Sequence, residues 1–145
     1  MGRVVVTEFV SLDGVMEAPG GEPGYAHSGW VARFPDVGQF GFKLEEVLAA
    51  EAQLLGRITY ESFAGAWPGR DDEAGFAAKM NAMPKYVVRS TLRDLAWNNS
   101  SVLEGDLTEA VKDLKRRIAG TDRGARPPGT GRRPRRAPRT GRRDG

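Results

Sequence analysis

A chain of 145 residues with one histidine and no cysteine carries 22 basic and 19 acidic side chains, a formal charge of +3. The length suits one domain, and the composition excludes disulfide frameworks, thiolate metal centres, iron–sulfur clusters and cysteine nucleophiles. His27 alone cannot supply a paired-histidine metal site and leaves little room for a Ser-His-Asp triad, so no metal is expected. The charge averages two unlike segments, because residues 121–145 hold nine arginines against Asp122 and Asp144, a local +7, which leaves −4 on residues 1–120. No apolar run approaches the roughly 18 residues that cross a bilayer, and Glu8 interrupts the amino-terminal apolar run before a signal-peptide core develops. A soluble, cytoplasmic protein without a membrane partner is expected.

In chain order, Arg3 to Val10 is a β-branched run closed by Ser11-Leu12-Asp13-Gly14, which reads as a central strand buried on both faces and ending in a turn. Residues 18–29 hold Pro19, Gly20, Gly21, Pro23, Gly24 and Gly29 and form a long mobile loop, of the kind that is more often functional than accidental. From Lys43 the spacing of Leu44, Val47, Leu48 and Glu51 predicts a helix packing one stripe on a sheet. Ala52 to Leu55 is a short strand cut by Gly56, and a second helix starts near Thr59 and fades by Trp67-Pro68-Gly69. Gly75 to Met83 suits a short helix, Pro84 to Arg89 a third strand, and Ser101 to Leu103 a fourth. The clearest helix follows, with Asp106 as N-cap, Glu109 in capping-box position, Leu107, Ala110, Val111, Leu114 and Ile118 as its stripe, and Gly120 as its end. Such alternation argues for an α/β domain with a partly parallel sheet.

In open α/β sheets ligands bind beyond the carboxyl ends of the strands, so three turns attract attention. Ser11-Leu12-Asp13-Gly14 offers small polar groups beside a glycine, and is equally an ordinary Asp-Gly turn. Gly56-Arg57-Ile58-Thr59 puts an arginine and a threonine at a helix start, where free N–H groups and the dipole attract phosphate. Taken alone, it is also an ordinary helix start with a solvated arginine. Arg89-Ser90-Thr91 follows a strand with a cation and two hydroxyls, suited to a second phosphate or to a plain turn.

Together these turns, in this order, resemble the dihydrofolate-reductase-like family that contains the C-terminal reductase domain of the bifunctional riboflavin-biosynthesis deaminase-reductase and its stand-alone relatives. The matching stretches are Ser11-Leu12-Asp13-Gly14 with Glu17-Ala18-Pro19, then Leu55 to Phe63 running on to Trp67-Pro68, then Lys85 to Leu92, and Trp97-Asn98-Asn99-Ser100. The resemblance spans about residues 3–118. It implies a three-layer α/β/α sheet and an NADPH-dependent oxidoreductase similar to 5-amino-6-(5-phosphoribosylamino)uracil reductase. Carried over, Gly56, Arg57 and Thr59 would hold cofactor phosphates, and Arg89, Ser90 and Thr91 the 2′-phosphate and adenosine ribose. Ser11 and Gly14 would border the nicotinamide, Asp13 the substrate as well, and Trp30 would flank the substrate pocket. The proton donor would be Asp13 or a bound water, and the substrate a heterocycle of pyrimidine or pterin type.

The family pattern next calls for a glycine-rich strand and turn that hold the pyrophosphate, then closing strands. Residues 121–145 instead use only Gly, Thr, Asp, Arg, Ala and Pro, a composition expected to stay disordered. The switch reads as a frameshifted or truncated product with weakened NADPH binding, whose unpaired sheet edge invites homodimerisation. The alternative is an α/β module whose arginine-rich arm, if genuine, binds nucleic acid through counterion release.

Overall fold

The computed structural model describes residues 2–88 and 95–121. Asp36 begins the regular structure: its carboxylate accepts from the Gln39 N–H at 2.9 Å and so caps α1, Val37–Ala49. This cap explains why the helix starts six residues before Lys43, since it offsets the cost of Gly38 and Gly41 in the first turns, about 1 kcal/mol each relative to alanine. Strand β1, Gln53–Gly56, leads without a loop into α2, Arg57–Ala66. Then come α3, Phe76–Ala82, β2, Lys85–Val88, β3, Ser100–Leu103, and α4, Leu107–Thr121.

The three strands form one parallel sheet in the order β1-β2-β3, with Leu55 beside Val87 and Val87 beside Val102. The chain is therefore of mixed α/β class. Its core is Leu55, Tyr60, Met80, Met83, Val87 and Trp97, against which Val47, Phe63, Trp67, Phe76 and Leu95 pack. Each such apolar side chain contributes roughly 1.5–3 kcal/mol on burial, so this cluster is the main adhesive of the fold. In α4 the Asp106 carboxylate accepts from the Glu109 N–H at 3.0 Å, while Glu109 turns to Lys112 at 2.7 Å. The capping box is thus seen as one cap and one ion pair, and the helix runs past Gly120 to Thr121.

The first expected strand is not formed. Residues 3–10 adopt no regular structure, and Val4, Val5, Val6 and Val10 are 51%, 61%, 88% and 55% exposed, so the reading of a central strand buried on both faces is corrected. β-Branched residues suit a ladder, but a strand exists only where a neighbouring strand supplies partners for its backbone. Here the neighbours are helices. The Gly2 N–H donates to the Lys115 carbonyl of α4 at 3.0 Å, Thr7 donates to Glu46 of α1 at 2.7 Å, and the Lys43 ammonium lies 4.9 Å from the Phe9 ring centre.

Candidate functional site

The junction of β1 and α2 is the best-built of the three turns. Gly56 closes the strand and serves as N-cap with φ −74° and ψ 162°, an ordinary extended conformation, and no side chain caps the helix. A Cβ at Gly56 would meet nothing within 4 Å. Neither strain nor crowding therefore calls for glycine here, and the backbone is left open to close approach. The first-turn N–H groups of α2 have no intrahelical partner and carry the positive end of its dipole. Arg57, the first helical residue, places its guanidinium on Glu61 at 2.9 Å, with both side chains nearly half exposed. An exposed i,i+4 pair is worth only about 0.3–0.5 kcal/mol, so an arriving phosphate could take the guanidinium over. Thr59 is exposed in the same turn.

The Ser11–Gly14 turn is closed on itself. Gly14 N–H donates to the Ser11 carbonyl at 3.0 Å, the Val15 N–H to the Ser11 hydroxyl at 2.8 Å, and that hydroxyl to Asp13 at 2.5 Å. Gly14 sits at φ +89°, where a side chain would be strained, which accounts for the glycine without a ligand. The Ser11 hydroxyl, helped by the backbone, holds the Asp13 carboxyl below its usual range. A shift in that direction favours the carboxylate, whereas a proton donor is helped by the opposite one. Trp30 begins a 3-10 turn, Trp30–Arg33, and donates its indole N–H to the Glu17 carbonyl at 3.0 Å. It thus ties down the loop after Asp13. The bonds of Ser11 and Asp13 stay within their turn, and those of Arg57 stay within α2, so no hydrogen bond brings the two turns together among the described residues. Arg89, Ser90 and Thr91 lie outside the described residues.

One polar cluster escaped the sequence reading. Lys85 is fully buried, and its ammonium donates to the carbonyls of Asn81, Met83 and Asn98 at 2.8, 3.0 and 3.1 Å while lying 4.2 Å from the Trp97 ring centre. Asn81 accepts from the Trp97 indole at 2.7 Å and donates to the Trp67 carbonyl at 3.0 Å, and Tyr60 accepts from the Trp97 N–H at 3.0 Å. Burial pushes the Lys85 ammonium below its ordinary pKa. Its three protons are satisfied and its surface is closed, which makes it a clamp between the end of α3, β2 and the segment before β3. The available signal was its place two residues before Val87, on the same strand face.

Among the described residues no cluster of three metal-ligating side chains occurs, and no helix is long and apolar enough to cross a membrane. No protein-family model matches the chain, and no curated protein matches it.

Proposed function

We propose that this chain is a reductase of the dihydrofolate-reductase-like type with weakened affinity for NADPH, acting by lineage on a small pyrimidine- or pterin-like heterocycle such as 5-amino-6-(5-phosphoribosylamino)uracil of riboflavin biosynthesis. The observation that supports it is the β1–α2 junction: an open glycine at the end of a parallel strand, an uncapped helix start and an arginine held only by a weak surface pair. These features fit a cofactor phosphate, with Gly56, Arg57 and Thr59 holding it. When bound, NADPH would supply the hydride, and the chain's own task would be to position it and exclude water. Two features weaken the site. Arg57 must leave Glu61, and the Ser11–Gly14 turn has no hydrogen bond to the junction that would fix a nicotinamide against it.

Titration of the purified chain with NADPH, followed by nicotinamide fluorescence, tests this reading. Binding is expected only in the millimolar range, weaker still for NADH, and severalfold tighter in Glu61→Ala, where Arg57 is released. Micromolar binding by the unaltered chain would overturn the weakened affinity. Absence of binding in both chains would overturn the reductase reading. The arginines of residues 121–145 favour a second reading as a nucleic-acid-binding module, for which a salt-sensitive DNA shift lost on removing those residues is the expected sign.

A further inference from the structure

The chain carries two halves of a strand pairing that it does not make with itself. One half is the outer edge of β1: among the described residues β1 pairs only with β2, and its other edge, at Gln53-Leu54-Leu55-Gly56, has no strand partner. Leu54 is 39% exposed, and Ile58 just beyond is 72% exposed. The other half is Arg3 to Val10, the most strand-prone run in the sequence, which lies unpaired and exposed. Exposed apolar edges and unpaired β-branched segments are templates for addition of a strand from another chain.

We propose that two copies of this chain associate by exchanging these segments, residues 3–10 of each adding as a parallel strand to the β1 edge of the other. This holds independently of any cofactor. Such an exchange is isologous: one two-fold operation satisfies both free edges and both free segments, so the assembly closes at a dimer. Charge sets the direction. Glu51 and Arg57 flank β1, six positions apart, and Arg3 and Glu8 lie five apart on the segment. Parallel alignment with Arg3 beside Glu51 sets Val6 beside Leu54 and Glu8 beside Gly56, one position before Arg57, whereas antiparallel alignment brings Arg3 to Arg57 and Glu8 near Glu51. Parallel addition also continues the sheet, in which both pairings among the described residues are parallel. At the opposite edge β3 opens with Ser100-Ser101 after Asn98-Asn99, a hydrophilic margin with less apolar surface to cover. The contacts that now hold the segment, from Thr7 to Glu46 and Lys43, from Phe9 to Lys43 and from Gly2 to Lys115, lie at the surface and are few enough to release it.

The absence of cysteine makes the test clean. Val6→Cys and Leu54→Cys, which the parallel register sets side by side, are placed in separate, differently tagged full-length chains, at positions exposed enough to tolerate the change. The chains are mixed and oxidised, and the unaltered protein is followed by sedimentation equilibrium. The expected results are a concentration-dependent dimer and a disulfide between the two tagged chains formed severalfold faster than within either chain type alone. A chain that stays monomeric through high micromolar concentration overturns the proposal. So does a dimer without preferential cross-linking, or a Val6→Cys/Leu54→Cys double variant that links only within one chain.

Discussion

Lys85 shows how one residue can hold three segments. Its ammonium has no carboxylate partner among its contacts and instead satisfies three carbonyls that would otherwise be buried without donors. Replacing it by methionine keeps the volume and strands those acceptors, each worth about 1–3 kcal/mol when unpaired, offset in part by removing a buried charge. Lys85→Met is therefore expected to lose about 2 kcal/mol in urea unfolding at neutral pH. A pH series adds a signature. Since burial lowers the folded-state pKa, the unfolded chain retains its proton to higher pH than the folded one. The cost of burying the ammonium is fully present below the lowered value, where both states are charged, and is relieved as pH rises from there to the ordinary lysine value of about 10.4. Stability of the unaltered protein should rise across that alkaline window, and Lys85→Met should remove the rise.

At the scale of elements, short helices depend on their first turns. The N-cap of α3, Gly75, lies at φ +80° and has no side chain, so the capping falls to Asp72, whose carboxylate accepts from the N–H groups of Phe76 at 2.8 Å and Ala77 at 2.6 Å. These bonds, Ala77 first and then Phe76, hold the Asp72 carboxyl below its usual range. Its stabilisation is present above the ordinary aspartate pKa of about 3.9 and is lost as pH falls through the lowered value. Asp72→Asn should accordingly be less stable than the unaltered chain at neutral pH, and the gap should close on acidification. A gap constant with pH, measured by thermal unfolding, would contradict this account. Such elements were legible from local signals: β1, α2, α3, β2, β3 and α4 lie within a few residues of where spacing and caps put them. α1 begins earlier than the Leu44–Glu51 spacing predicts because Asp36 caps it at Val37.

For the whole molecule, the decisive fact is the imbalance between strand-forming segments and strand partners. Among the described residues the sheet has three strands and β1 has no strand on its outer edge, while Gly2 and residues 3–10 bond to helices α4 and α1. Hydrogen exchange should therefore show the amides of Val4 to Val10 unprotected in dilute solution, with protection growing as concentration rises and segments pair between copies. Protection already complete at the lowest concentration would contradict the structure described here. The candidate site follows the same division. Gly56, Arg57 and Thr59 fall within four residues and could be picked out as a unit, but the engagement of Arg57 by Glu61, the lowered pKa of Asp13 and the use of Trp30 as a tether to Glu17 all depend on neighbours that spacing does not reveal.

The α/β class, the helix cap at Asp106, the strand-to-helix junction at Gly56 and the charge break near Gly120 are all legible locally, because each is written in nearby residues. Tertiary structure alone decided that Arg3 to Val10 forms no strand, that β1 is an edge, and that a lysine can lie buried under Trp97. A strand requires a second strand, an edge is defined by what fails to lie beside it, and a buried cation requires carbonyls gathered from three segments. These are relations between distant parts of the chain, which local propensity cannot supply.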